Sequence, residues 1–165
     1  MNVFGLDTVV DKDARLVFGT ATAQCIDSDL QQVDLATTQA HFARWAVLDG
    51  RVCFAHERNC RVGQLKYFKF HDYPYKAVYV VLQINHDESW VMLRKGVFSG
   101  LSLGGTVNSL GYEMIGGMRI EVITFIPEEL SLARSPRCPR ARVDWLYDCG
   151  EWIQPPDRFA TRRVA

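Results

Sequence analysis

Long apolar runs are missing from this sequence. None approaches the ~20 residues needed to span a bilayer, and the stretch Met1 to Val10 lacks a basic region followed by an apolar one, so neither a membrane segment nor a secretory leader is expected. Net charge is missing as well: Lys+Arg and Asp+Glu are both 19, giving a formal charge of zero. Without a positive field, nothing steers the chain toward nucleic acid or an anionic membrane. Its late arginine clusters, Arg134, Arg137, Arg140 and Arg142 and then Arg158, Arg162 and Arg163, have no regularly interleaved aromatics on which bases would stack. The expected partner is protein, with no specific nucleic acid and no membrane. Internal repeats and low-complexity stretches are also absent. Cysteine is odd in number, five in all. In a chain expected to stay inside a cell, that argues for free thiols rather than a disulfide framework.

The rest of the composition is that of a folded domain, 48% hydrophobic and 12% aromatic in 165 residues. A chain of this length supports one core. Arg15 to Cys25 alternates as a strand, broken by Asp27-Ser-Asp29. Thr37 or Thr38 is the expected cap of a helix carrying Phe42, Trp45 and Ala46 on one side and ending near Leu48, before an Asp49-Gly50 turn. Arg51 to Ala55 reads as a short strand running into His56, joined by the polar loop Glu57-Arg58-Asn59 to a strand over Cys60 to Phe70. Ala77 to Ile84 is apolar enough to lie at the centre of a sheet. A second helix, capped by Asn85 or Asp87, runs through Trp90, Val91 and Leu93 and ends at Gly96. Glycines stud a strand over Val97 to Val107, where they mark a bulge or the close approach of another backbone, such as a substrate strand. Met118 to Ile126 follows the Gly116-Gly117 turn, and Leu130 to Ala133 is read as a separate strand. The expected architecture is α+β, a mainly antiparallel β-barrel with two or three flanking helices. The protein divides into a domain over 1–144 and an irregular C-terminal appendage over 145–165.

Hydrolysis of a peptide bond by serine needs a base for the hydroxyl proton, a group that fixes the base's tautomer, and donors for the oxyanion. Ser102 stands between two leucines, so its hydroxyl points to the opposite face of a strand, and Gly100, Gly104 and Gly105 leave the backbone around it open. His56 stands at the end of a strand. Both residues also have bland readings, a small residue on a Gly-rich strand and a satisfied histidine, and spacing alone does not choose between them. Cys53, His56 and Cys60 offer soft donors at short spacing. They lack a second paired set, and Cys53 and His56 point to opposite faces of a strand, so no metal or other cofactor is expected. Cys25, Cys138 and Cys149 read as ordinary thiols.

Three motifs in order carry a resemblance that extends from about Arg15 to Val143. They are Cys53-Phe-Ala-His56 followed by Arg61-Val-Gly-Gln-Leu65, then Trp90 to Gly105 containing Gly-Leu-Ser102-Leu-Gly, then Glu129-Leu-Ser-Leu before the spaced prolines Pro136 and Pro139. The chain resembles the prohead maturation proteases of tailed bacteriophages, whose fold is similar to that of the herpesvirus assembly proteases. The resemblance implies a serine endopeptidase with Ser102 as nucleophile, His56 as base and Glu129 as the acidic third member. Glu128 is the alternative on the opposite side of an extended chain, and Ser99 is the nearest rival to Ser102. It also implies that the substrates are the scaffolding protein or delta domain, the major capsid protein and the protease itself, cleaved within the procapsid in the host cytoplasm, with self-association possible. Ser135 and Cys138 depart from the family's pattern in the loop after Glu129. The oxyanion donors stay open, with amides near Ser102, and Arg134 acting through water, as candidates. A second reading is a catalytically silent capsid-associated structural or decoration protein with the same fold.

Overall fold

The computed structural model describes residues 13–156. Met1 to Val10 and the cluster Arg158, Arg162 and Arg163 therefore lie outside the described residues. Nine strands and two helices follow in the order β1 (Arg15–Ala23), β2 (Gln31–Val33), α1 (Leu35–Leu48), β3 (Arg51–Phe54), β4 (Glu57–His71), β5 (Ala77–Ile84), α2 (Asp87–Arg94), β6 (Gly100–Ile115), β7 (Met118–Ala133), β8 (Val143–Asp148) and β9 (Glu151–Ile153).

The strands form one sheet in the order β2-β7-β3-β4-β5-β1-β8-β9, with β6 paired to β7 off this path. The sheet is not closed, so the expected antiparallel barrel is corrected to an open, mixed one. β2 and β3 both run parallel to β7, at residues 121–123 and 130–132 respectively, while the other ladders are antiparallel. The apolar run Ala77–Ile84 is central, between β4 and β1. Expected as two strands, β7 is one continuous strand of 16 residues. Pro127 interrupts nothing because it falls at the β-bulge opposite Gly104/Gly105 and between the stretches that pair with β2 and β3, where no ladder needs its missing N–H. Gly116 and Gly117, with φ of 56° and 80°, make the two-residue turn that joins β6 to β7.

α1 buries Leu35, Thr38, Phe42 and Trp45, one stripe at helical spacing. The Phe42 ring meets Phe68 and Phe70 of β4 with centroids 5.4 and 5.7 Å away. The caps differ from expectation. Asp34 caps α1, accepting from the Ala36 amide at 3.0 Å, and Thr38 is buried within the helix with its hydroxyl accepting from the Phe125 amide. His86 caps α2 by accepting from the Ser89 amide. An imidazole acceptor at a helix start is not among the usual capping residues, which is why the sequence points to its neighbours instead.

Where an irregular appendage is expected from residue 145, β8 instead pairs with β1 and places Leu146 in the main core, and β9 pairs with β8. Trp152 packs on Phe18 and Tyr147, covering a second cluster made with Ala14, Leu16 and Val81 on the outer face of the sheet. The boundary at 144 thus cuts through a strand. Trp145 and Trp152 suggest a tail because they stand among prolines and charges, yet they serve as the cover of a sheet whose face is too apolar to meet water.

Asp148 ties this last hairpin to α2. Its Oδ2 accepts from the buried Trp90 indole N–H at 3.0 Å and pairs with Arg94 at 3.3 Å. The indole hydrogen bond first, then one from Cys149 and the Arg94 and Arg15 charges, hold the carboxyl below the usual aspartate range against a smaller opposing effect of burial. A depressed folded value contributes stability that is present above the unfolded range and lost as pH falls through the folded one. Asp148→Ala is therefore expected to destabilise the protein by about 1–2 kcal/mol near neutral pH in urea unfolding, and the gap from wild type should close as the pH is taken below the usual aspartate range.

Candidate active site

Three neighbouring strands bring the sequence-predicted residues together. Glu129 and Ser131 lie on β7; opposite them on β6 are Gly104 and Ser102, and Cys53 of β3 is the register partner of Ser131 on the other side. The period of two puts Ser102, Gly104, Glu129 and Ser131 on one face, while Leu101, Leu103, Leu130 and Leu132 point to the main core. His56 reaches that face from the turn between β3 and β4. Where the sequence suggests a strand end followed by a loop over 57–59, the structure has Phe54 paired with Glu57 and a two-residue turn of Ala55 and His56. Both turn residues are left-handed, with φ of 46° and 65°. A tight hairpin turn needs positive φ at both central positions, which Asn-Gly normally supplies. An Ala-His pair there carries backbone strain of the sort found at functional positions.

The turn is held from β7. The Ala55 amide donates to the Leu132 carbonyl at 3.3 Å, and the His56 amide donates to the Ser131 hydroxyl oxygen at 2.9 Å. The Ser131 hydroxyl in turn donates to Glu129 Oε2 at 2.5 Å, and Glu129 Oε1 accepts from His56 Nδ1 at 2.5 Å. Main chain and ring of the histidine are thus fixed by the same carboxylate, one through Ser131 and the other directly. An ionised carboxylate only accepts, so Nδ1 carries the ring proton and Nε2 presents its lone pair. That nitrogen lies 3.0 Å from Ser102 Oγ.

Burial is graded along this chain of contacts. The Glu129 side chain is 1% exposed, whereas the imidazole is 48% exposed. The carboxylate is therefore a buried anchor, and the working end of the ring opens to a cleft of about 730 Å³ bordered by Ser102, Ala23, Leu103, Val107, Phe125 and Arg134. Gly104 makes the burial possible: a Cβ there would overlap Glu129 Oε1. The glycine that suggests room for a ligand in fact makes room for the acid.

The rivals fall elsewhere. Glu128 points to the other side of β7, where it accepts from the Thr106 hydroxyl at 3.1 Å and pairs with Arg58 at 2.6 Å. Ser99 donates to the Arg134 carbonyl at 3.1 Å. Cys53 is buried beside Ser131, and burial first, then the Glu129 charge, pushes its thiol up, so it stays protonated. Among the described residues no three His, Cys, Asp or Glu side chains are arranged to hold a metal ion. Ser131 is the residue that sequence reasoning missed. Its signal is its place two residues after Glu129, which on a strand puts it on the same face.

No family model and no curated protein matches the chain. Among solved structures it is similar to the varicella-zoster virus protease, at 11% identity and a TM-score of 0.47, with 80% of this chain covered. The chain spans 64% of the length of that protein. A likeness of this size carries no weight for the chemistry, which rests on the geometry of the site.

Two substitutions test how the anchor is held. Ser131→Ala removes a donor from a buried carboxylate and is expected to cost about 1–3 kcal/mol. Gly104→Ala forces the carboxylate to move and is expected to cost about 2 kcal/mol. Equilibrium unfolding measures both, and an unchanged midpoint in either variant contradicts the packing described.

Proposed function

We propose that this protein is a serine endopeptidase. The observation that carries the reading is the unbroken contact chain Glu129 Oε1, His56 Nδ1, His56 Nε2, Ser102 Oγ, with separations of 2.5 Å and 3.0 Å at its two hydrogen bonds. In this reading His56 Nε2 takes the Ser102 proton as Oγ attacks a peptide carbonyl, and the resulting imidazolium is stabilised by the buried Glu129. The imidazolium then gives its proton to the departing amine, leaving an acyl-enzyme. Water, deprotonated by the same nitrogen, releases the acid and restores the serine. Arg134 borders the cleft beside Ser102 and forms no ion pair among the described residues, so its guanidinium is available to the developing oxyanion through a water. β6 pairs only with β7 among the described residues, and the cleft beside Ser102 lies between β6 and the end of β1, where a peptide carbonyl can approach Oγ.

The finer reading follows the resemblance. The enzyme is a prohead protease that cleaves the scaffolding protein or delta domain, the major capsid protein and itself inside the procapsid. One observation favours the silent structural alternative: Tyr112 and Met114 are exposed on one face of the β6–β7 hairpin, with Leu110 exposed at the bulge beside them, apolar groups suited to lying against other subunits. If mature particles contain the intact chain in stoichiometric amount, the alternative holds.

A fluorophosphonate probe tests the chemistry without knowledge of the substrate. Wild type is expected to take up one phosphonyl group on the peptide containing Ser102, with none taken up by Ser102→Ala or His56→Ala. Glu129→Gln should slow labelling by roughly 10³-fold or more. Absence of labelling in folded wild type sinks the enzymatic reading. Co-expression with the capsid protein, wild type against Ser102→Ala, tests the finer one by intact mass.

A further inference from the structure

Two thiols far apart in the chain meet in the wall of the cleft. Cys25 follows β1 and Cys138 lies in the loop between β7 and β8, yet their Sγ atoms are 3.2 Å apart although 113 residues separate them. Both are partly buried and both border the cleft that contains Ser102 and His56. Their meeting is framed by other contacts between the same segments. Arg137 pairs with Asp29 at 2.6 Å, and Thr20 and Arg142 exchange backbone hydrogen bonds of 2.9 and 3.1 Å. The Cys138 sulfur also lies 3.9 Å from the Ala23 carbonyl oxygen. A disulfide needs sulfurs about 2.05 Å apart, so the pair closes with a shift of roughly 1 Å.

We propose that Cys25 and Cys138 are a reversible dithiol–disulfide couple that crosslinks the end of β1 to the loop after β7 and so fixes one wall of the cleft. The oxidant is a low-molecular-weight disulfide of the glutathione class. One sulfur of the pair, as thiolate, attacks one of its sulfurs and expels one thiolate, giving a mixed disulfide. The other thiol then loses its proton to solvent and attacks the protein sulfur of that mixed disulfide, expelling the second thiolate. Two electrons pass from the protein pair to the small disulfide, which leaves as two thiols. The contact between the two sulfurs, with the Arg140 backbone beside both, favours a single thiolate shared by the pair, so one of them is poised to attack and the other to resolve. Elsewhere, Cys53 is buried with its thiol pushed up, and Asp148 pushes up that of Cys149.

The full chain is equilibrated near neutral pH with mixtures of oxidised and reduced glutathione, then analysed by intact mass and by peptide mapping without reductant. The expected product is lighter by roughly 2 Da, contains a peptide linking Cys25 to Cys138, and reverts with dithiothreitol. Its unfolding midpoint is expected to rise by about 5–10 °C, a rise absent from Cys25→Ser and Cys138→Ser. Cys149→Ser should keep both the crosslink and the rise. A lasting glutathione adduct on either thiol, or a crosslink formed by other cysteines, overturns the proposal. A bond formed with no change in midpoint overturns its role in fixing the wall. Should either serine variant fail to fold, wild type alkylated at its accessible thiols takes its place, and a midpoint rise there counts against the couple. None of these readouts uses peptidase activity, so the couple stands or falls apart from the proposed chemistry.

Discussion

A single buried carboxylate organises the centre of this protein. Glu129 is shut away from water on the face shared by β3, β7 and β6, and a charge in that position is tolerable only when its oxygens are paired with donors. The donors are His56 and Ser131, one on each oxygen. Everything around the pair follows from that demand: a glycine opposite the acid, a serine two residues on, and a strained turn that delivers the imidazole at the right height. The order of dependence runs from the acid outward, and Ser102 is the last member, resting on a ring whose pose is already determined.

The sheet explains why three separate strands can meet this demand. β7 is long enough to pair with β2 near one end and with β3 near the other, both parallel to it, while β6 runs antiparallel along its whole length. Parallel pairing with β3 sends the β3–β4 turn toward the end of β7, past Ser131 and Leu132. A closed barrel is unnecessary for this arrangement.

Much of this was legible in residue patterns, and the limits have physical causes. The span of β5, the glycine turn at 116–117 and the end of α1 at Leu48 are local signals, and they agree with the structure. Alternation along a strand sets the two acids on opposite faces, and in the structure it is Glu129 that meets His56; the pattern alone does not choose between them, and the preference for Glu129 comes from the resemblance. Glycine near Ser102 was legible as a need for space but not as to what fills it, because the filling group comes from another strand. The Ala55-His56 turn was illegible because its residues are poor at the conformation they adopt; only contacts with β7 hold it. Asp34 and His86 were passed over as caps for neighbouring residues with similar local claims. Trp145 and Trp152 misled because tail-like composition says nothing of an apolar sheet face waiting elsewhere.

The two-residue turn has a consequence for how this protein can vary. Surface connections ordinarily tolerate insertion and deletion, since they carry little of the packing. Here the connection carries the imidazole, and side chains along a hairpin alternate faces with every residue gained or lost. Lengthening this link by one position would carry the ring to the far side of the sheet, away from both acid and serine. Descendants that keep this contact between ring, acid and serine must therefore keep the loop's length, even while the hairpin tip at Gly116-Gly117, which carries no such passenger, is free to grow.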